Sequence, residues 1–158
     1  MKIHLLRHAK TEKFSSSGKD FDRKLMEKGI RQSTEMFNFL EAKSFENTNL
    51  YCSAAQRTKE TFNIVCSTIN SNQLSFHQEL YLAGLEELLQ FIWNLKSKKD
   101  IFIIGHNEGL SELASYLSGS YIHLKTCGYL QLEFDCESSE EISKDCGIIR
   151  ESYRPEVS

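Results

Sequence analysis

What this chain lacks narrows its possibilities before any motif is considered. No run of apolar residues is long enough to span a membrane, and the apolar start is cut by Arg7, too early for a signal peptide. The expectation is therefore a cytoplasmic protein. There is no excess of positive charge: with a formal net charge of -3, the surface offers no general field for nucleic acid or for an anionic membrane. Any anion bound here has to be held by cations placed locally. There is no CxxC pair, and the five cysteines (Cys52, Cys66, Cys127, Cys136 and Cys146) are odd in number and scattered. Reduced thiols are expected rather than a zinc site or a disulfide framework. Internal repeats and linkers are absent, the one low-complexity stretch is Ser15-Ser16-Ser17, and proline occurs only at Pro155.

What is present describes an ordinary globular chain. Its 158 residues, 40% hydrophobic and 26% charged, suit one domain spanning residues 1–158, with a single core and no disorder. Lys2 to Arg7 reads as a short buried strand, followed by a polar Ser/Gly-containing loop, KTEKFSSSGKDFDRK. Helical spacing of Ile30, Met36, Phe37, Phe39 and Leu40 predicts a helix from Met26 to about Ala42. Asn49 to Ser53 is a second strand, with a helix after it burying Ala55, Phe62, Ile64, Val65 and Ile69. A small strand is expected at Leu74 to Phe76, and an amphipathic helix from Gly84 to about Leu95.

The four large apolar residues of Asp100-IFIIG-His106 read as a strand buried on both faces, as in a parallel sheet. Asn107 would then cap a helix running to about Leu117. Tyr129 to Phe134 and Gly147 to Tyr153 complete the strands. Strands alternating with helices predict an α/β fold in three layers, a mostly parallel central sheet with helices on both faces. Such sheets bind ligands at the carboxyl ends of their strands, where the strand order switches.

Three strand ends deliver polar residues to that edge: Arg7-His8, Ser53 with Arg57 just beyond, and His106. Two guanidinium groups on one spot form an anion clamp, since each presents a fork of donors matched to phosphate oxygens. A neutral imidazole, His8 or His106, is a nucleophile once one ring nitrogen is held as a donor. Asn107 and the following helix start could donate to the same anion. Singly, each feature has a plainer reading. An Arg-His pair at a strand end is more often a surface pair, Arg23 can be a solvated charge, and Ser53 and Thr61 read as hydrogen-bonding supports. Asp20 and Asp22 could also be read as metal-binding carboxylates, although hard cations need more converging oxygens.

Taken together, the strings are recognisable. LLRHAKT, DFDRKLMEKG (Asp22, Arg23, Leu25, Gly29), CSAAQRTKET (Ser53, Arg57, Thr61), QELY, IIGHNEGL and YRP follow one another in an order that resembles the histidine phosphatase, or phosphoglycerate mutase-like, superfamily. Within it the chain is most similar to the small SixA-type phosphohistidine phosphatases. Lys24, Ala54 and Glu108 stand where that pattern usually has proline, so loop rigidity and pocket charge are the points of departure. The resemblance implies His8 as a transiently phosphorylated nucleophile, Arg7 and Arg57 as phosphate ligands, and His106 as a donor to the developing charge. It further implies Arg23 near the phosphate, and Glu79 as the position from which some relatives take a general acid. No metal or cofactor is implied, because fixed cations neutralise the phosphate.

The segment between Arg57 and Glu79 holds one helix and a turn-rich connection, too little for a lid domain. An open site is therefore expected, suited to phosphate on a protein side chain. An imidazole leaving group, of free pKa about 6.5, makes small demands on a general acid. The expected substrate is a phosphorylated protein bearing phosphohistidine. The alternatives are a small phosphomonoester, or binding of a phosphorylated partner without turnover.

Overall fold

The computed structural model describes residues 1–158. Six strands, β1 (Lys2–Arg7), β2 (Thr48–Ser53), β3 (Gln73–His77), β4 (Asp100–Gly105), β5 (Tyr129–Glu133) and β6 (Ile148–Tyr153), form one sheet in the order β3-β2-β4-β1-β5-β6. Four helices connect them: α1 (Glu27–Leu40), α2 (Gln56–Val65), α3 (Leu85–Leu95) and α4 (Gly109–Ser118). The pairs β3/β2, β2/β4 and β4/β1 are parallel, β5 runs antiparallel to β1, and β6, antiparallel to β5, completes the sheet. This is the three-layer, mostly parallel α/β architecture expected from the alternation of elements, with no lid domain.

The side-chain period of two in a strand divides the core between the two sheet faces. Ile3 and Leu5 of β1, with Ile101 and Ile103 of β4, pack on Leu88, Leu89 and Ile92 of α3 and Leu113 and Leu117 of α4. The intervening residues, Leu6 of β1 with Phe102 and Ile104 of β4, pack on Met36 and Leu40 of α1 and Val65 of α2. Every side chain from Ile101 to Ile104 is fully buried, as its uninterrupted apolar run requires.

His4 alternates with Leu5 onto the second face. Its Nδ1 pairs with the Tyr129 hydroxyl at 2.7 Å, and its ring stacks on Phe102 and Tyr129. All five cysteines are unpaired thiols, and burial pushes Cys52 and Cys127 up to about 12. No helix is long and apolar enough to cross a membrane.

One helix differs from expectation in the face it buries. Ile30, expected in the buried stripe of α1, is 49% exposed, and the helix instead buries Gly29, Gln32, Ser33, Met36 and Leu40. The cause is a close backbone approach. A Cβ on Gly29 would lie 2.0 Å from the Lys10 carbonyl oxygen, so only glycine lets α1 pack against the chain leaving β1. Gln32 completes that contact by accepting from Lys10 N at 2.9 Å. The helix thereby holds the segment directly after His8.

In this order β1, β4 and β2 lie side by side, and β4 is inserted late between two earlier strands. Their parallel carboxyl ends bring residues 7–8, 53 and 105–106 to one edge, although the chain separates them widely.

Candidate active site

His8 lies one residue past β1 and is anchored by its backbone on both sides. Its N–H donates to the Gly105 carbonyl and its carbonyl accepts from Cys127 N, each at 3.0 Å. Ring roles follow from the partners. Nδ1 meets the Ala9 carbonyl at 2.8 Å, which can only accept, so Nδ1 carries the proton. Nε2 receives the N–H of Arg57 Nε at 3.3 Å and is therefore the atom with the lone pair. Burial, with the charges of Arg57, Arg7 and Arg23 adding to it, pushes the imidazole down to about 3 despite the opposing Ala9 bond. Near neutral pH the ring is uncharged and presents Nε2 as a base or nucleophile.

Arg57 occupies the first turn of α2 and is 3% exposed. Thr61, one turn along, fixes this turn to β1: its hydroxyl donates to the Arg57 carbonyl at 2.8 Å and accepts from Ala9 N at 3.0 Å. Beyond its bond to His8, Arg57 donates through Nη1 to the Asp20 carbonyl at 2.8 Å and through Nη2 to Asp20 Oδ2 at 3.0 Å. Arg23 joins the same carboxylate, Nη1 to Oδ1 at 2.9 Å, and also donates to the Glu12 carbonyl and to Thr11 Oγ1. The Tyr81 hydroxyl donates to Asp20 Oδ2 at 2.5 Å. That bond, followed by those of Arg23 and Arg57, holds the Asp20 carboxyl well below the usual carboxylate range.

His106 follows β4, and its ring lies 5.3 Å from that of His8. Its Nε2 pairs with Ser53 Oγ at 2.7 Å. Ser53 Oγ also accepts from Ala55 N, and His106 Nε2 is the one further partner of its hydroxyl proton, an assignment that puts the imidazole proton on Nδ1. That Nδ1 is buried and has no partner, so it is a donor held ready for an incoming oxygen. Burial, with His8 and Arg57 nearby, pushes His106 down to about 3. The second unpartnered buried atom is Arg7 Nε. Arg7 is fixed by Nη1 on the Leu124 carbonyl at 2.9 Å. The two orphaned donors and the His8 lone pair belong to residues that share this edge, a set able to receive a tetrahedral oxyanion.

Arg7, His8, Arg57 and His106 are thus brought to one edge of the sheet, with Arg23 reaching them through Asp20. Glu79 is not. Its side chain is 68% exposed and turned to His77 Nδ1 at 3.2 Å. The short turn after the edge strand β3 gives the buried position to Leu80 and sends Glu79 to solvent. Nor does Asn107 cap α4. The helix starts at Gly109, its flanking Glu108 makes no side-chain cap, and the Asn107 carboxamide is taken by the Ser111 hydroxyl. Ser111 Oγ in turn accepts from Leu124 N at 2.9 Å, so Asn107 supports the segment that holds Arg7. Glu108, a departure from the family pattern, is exposed and lies outside the cluster.

Asp20 and Tyr81 were not expected in the site. Both occur in strings already singled out, DFDRK and QELY, but Asp20 was weighed there only as a metal ligand. Its carboxylate faces two guanidinium groups instead. The site is also less open than a lidless chain suggests. Tyr81 stands edge-on to His106 at 5.4 Å and to Phe21 at 4.9 Å, and His8 and His106 are 8% and 3% exposed beneath them.

The buried neutral histidines make stability depend on pH. Burial, with Lys2 and Lys43 adding to it, pushes His4 down to about 3, as burial does His8 and His106, from an ordinary 6.5. Between those values the unfolded chain binds more protons than the folded one, so stability rises with pH. Acidification from 6.5 toward 3 should progressively destabilise the fold, by about 1–2 kcal/mol per histidine by pH ~5. Urea midpoints measured across that range should fall; a flat profile would show that these rings are not buried in neutral form.

Residues 3–88 match the histidine phosphatase superfamily (branch 1). The chain is 32% identical, over 151 residues, to an uncharacterized chloroplastic protein of Arabidopsis thaliana, covering 89% of this chain and 69% of that one. The fold is similar to that of the protein histidine phosphatase SixA complexed with tungstate, with a TM-score of 0.80, 17% identity and 98% and 97% of the two chains covered. It is also similar to the phosphoserine phosphatase of Entamoeba histolytica bound to 3-phosphoglyceric acid, with a TM-score of 0.67, 13% identity and 98% and 97% covered. At these identities the structural likenesses establish the fold alone.

Proposed function

Since the chain belongs to the histidine phosphatase superfamily, branch 1, and is accordingly a phosphatase, we propose that it hydrolyses phosphohistidine on a protein through a phosphorylated His8. His8 Nε2 attacks phosphorus as the bond to the substrate imidazole breaks. Water then cleaves the new N–P bond, releasing inorganic phosphate and restoring the free ring. Arg7 and Arg57 neutralise the phosphoryl oxygens, and His106 Nδ1 donates as charge develops on them. The transfer asks mainly for positioning and fixed charge, which these residues supply without a metal.

The observation that carries the choice of substrate is that no carboxyl group stands beside His8 in protonated form. The carboxylate in the cluster, Asp20, is held ionised by Tyr81, Arg23 and Arg57, while Glu79 is solvated and turned to His77. An alkoxide leaving group needs a proton as it departs, whereas an imidazole of pKa about 6.5 needs far less help. The lack of a lid domain agrees, because a phosphate on a protein surface has to approach without being enclosed.

The test compares kcat/KM on a phosphohistidine protein with that on a small phosphomonoester. The protein substrate should be preferred by roughly a hundredfold or more, the scale of one general acid step. Glu79→Gln should change turnover of the phosphohistidine protein by less than about twofold, as expected of an exposed substitution away from the chemistry. A preference for the small ester, or a large loss in Glu79→Gln on the protein substrate, would refute the assignment.

A further inference from the structure

Asp20 occupies the Arg57 donors that the proposed mechanism reserves for phosphate. Its Oδ2 accepts from Arg57 Nη2 and the Tyr81 hydroxyl, its Oδ1 from Arg23 Nη1, and its carbonyl from Arg57 Nη1. Arg57 also directs its Nε N–H at the His8 lone pair. The Arg57 half of the clamp and the nucleophile are therefore both engaged before substrate arrives, while Arg7 Nε stays free. We propose that Asp20 is a specificity-determining residue: an internal anion that keeps the clamp closed until a phosphoryl dianion displaces it, and that returns to expel inorganic phosphate after hydrolysis. The proposal rests on the reading of Arg57 as a phosphate ligand.

The two partners of the central ion pair differ in what they can do. The Arg57 side chain is 4% exposed, whereas that of Asp20 is 44% exposed. Asp20, half exposed, can exchange its partners for water, but Arg57 cannot be left alone, since an unpaired buried charge is heavily penalised. Only a ligand that replaces the lost charge opens the site. A monoanion merely substitutes for the carboxylate, while a phosphoryl dianion brings more charge and three acceptor oxygens to the same donors.

The loop that carries Asp20 is anchored at its base independently of the Asp20 carboxylate. Its base is pinned by Glu12 N on the Lys24 carbonyl at 2.9 Å and Leu25 N on Glu60 Oε2 at 2.7 Å. The tip carries Asp20 and Phe21, and Phe21 packs edge-on against Tyr81, which itself covers His106. Release of Asp20 therefore frees the carboxylate from Tyr81 and loosens the aromatic cover in the same step.

The experiment is titration calorimetry of the full chain with inorganic phosphate. Asp20→Asn should bind phosphate roughly fivefold to tenfold more tightly than wild type, the value of one partly solvated charge-assisted contact. Tyr81→Phe, which removes one donor from the carboxylate, should fall between the two. Acetate should compete with phosphate in Asp20→Asn and much less in wild type, a selectivity change that a purely structural role would not produce. If Asp20 instead only aligns Arg57, Asp20→Asn binds phosphate equally or more weakly; that result, with binding lost in Arg57→Ala, would overturn the internal anion alone. Phosphate binding indifferent to Arg57→Ala would overturn the clamp, and the proposal with it.

Discussion

Replacing His8 with alanine should abolish turnover and, with it, acid-labile labelling of the protein by a phosphorylated donor. The expected loss in kcat is on the order of 10⁴-fold or more, the range seen when a nucleophile that forms a covalent intermediate is removed. The expectation depends on particular contacts. The Ala9 carbonyl holds the proton on Nδ1, and burial keeps the ring neutral, so Nε2 is an available lone pair near neutral pH. No neighbouring group can substitute. His106 has Nε2 bound to Ser53 and a protonated Nδ1, and burial pushes the buried thiols far from ionisation. Because His8 is anchored through its backbone to Gly105 and Cys127, the alanine variant should still fold. Turnover that persists in a folded His8→Ala protein would rule out the covalent route.

Arg57→Ala should lower kcat/KM by roughly 10²–10³-fold, the cost of losing a preorganised donor to the transferring group. Arg57 reaches farther into the cluster than Arg7, since one guanidinium touches both His8 Nε2 and Asp20. Its loss removes charge from the phosphoryl oxygens and leaves Arg23 as the one cationic partner of the Asp20 carboxylate. Arg57→Lys should recover only part of the loss, because an ammonium keeps the charge but not the planar fork that meets several acceptors at once. Steady-state kinetics on the wild type and both variants would check this. Equal activity of the lysine and arginine forms would mean that charge alone suffices and that the fork geometry is irrelevant.

Much of the fold was legible because strand and helix periods are local properties. The uninterrupted IFII run could only be a strand covered on both sides, and Leu85, Leu88, Leu89 and Ile92 could only share one helical face. α1 shows the limit of that reading. Its spacing marked Ile30 for burial, yet the face that packs is set by how closely the backbone approaches Lys10, and that rewarded Gly29 and Gln32. Hydrophobicity records which side chains avoid water but not where two backbones must touch.

The same division runs through the site. By itself the sequence determined the α/β order of elements, the strand ends that deliver Arg7, His8, Ser53 and His106, and Arg57 at the start of the helix after β2, because each of these depends on pattern within a short segment. Only the tertiary structure decided which ring nitrogen of His8 carries the proton, that Asp20 and not Glu79 is the carboxylate joined to it through Arg57, and that Asn107 supports the Arg7 segment instead of capping a helix. Those outcomes depend on hydrogen bonds between residues far apart in sequence, such as Tyr81 to Asp20 across 61 positions and Arg7 to Leu124 across 117. A side chain's direction is set by the partner that satisfies it, and that partner is known only once the chain has folded.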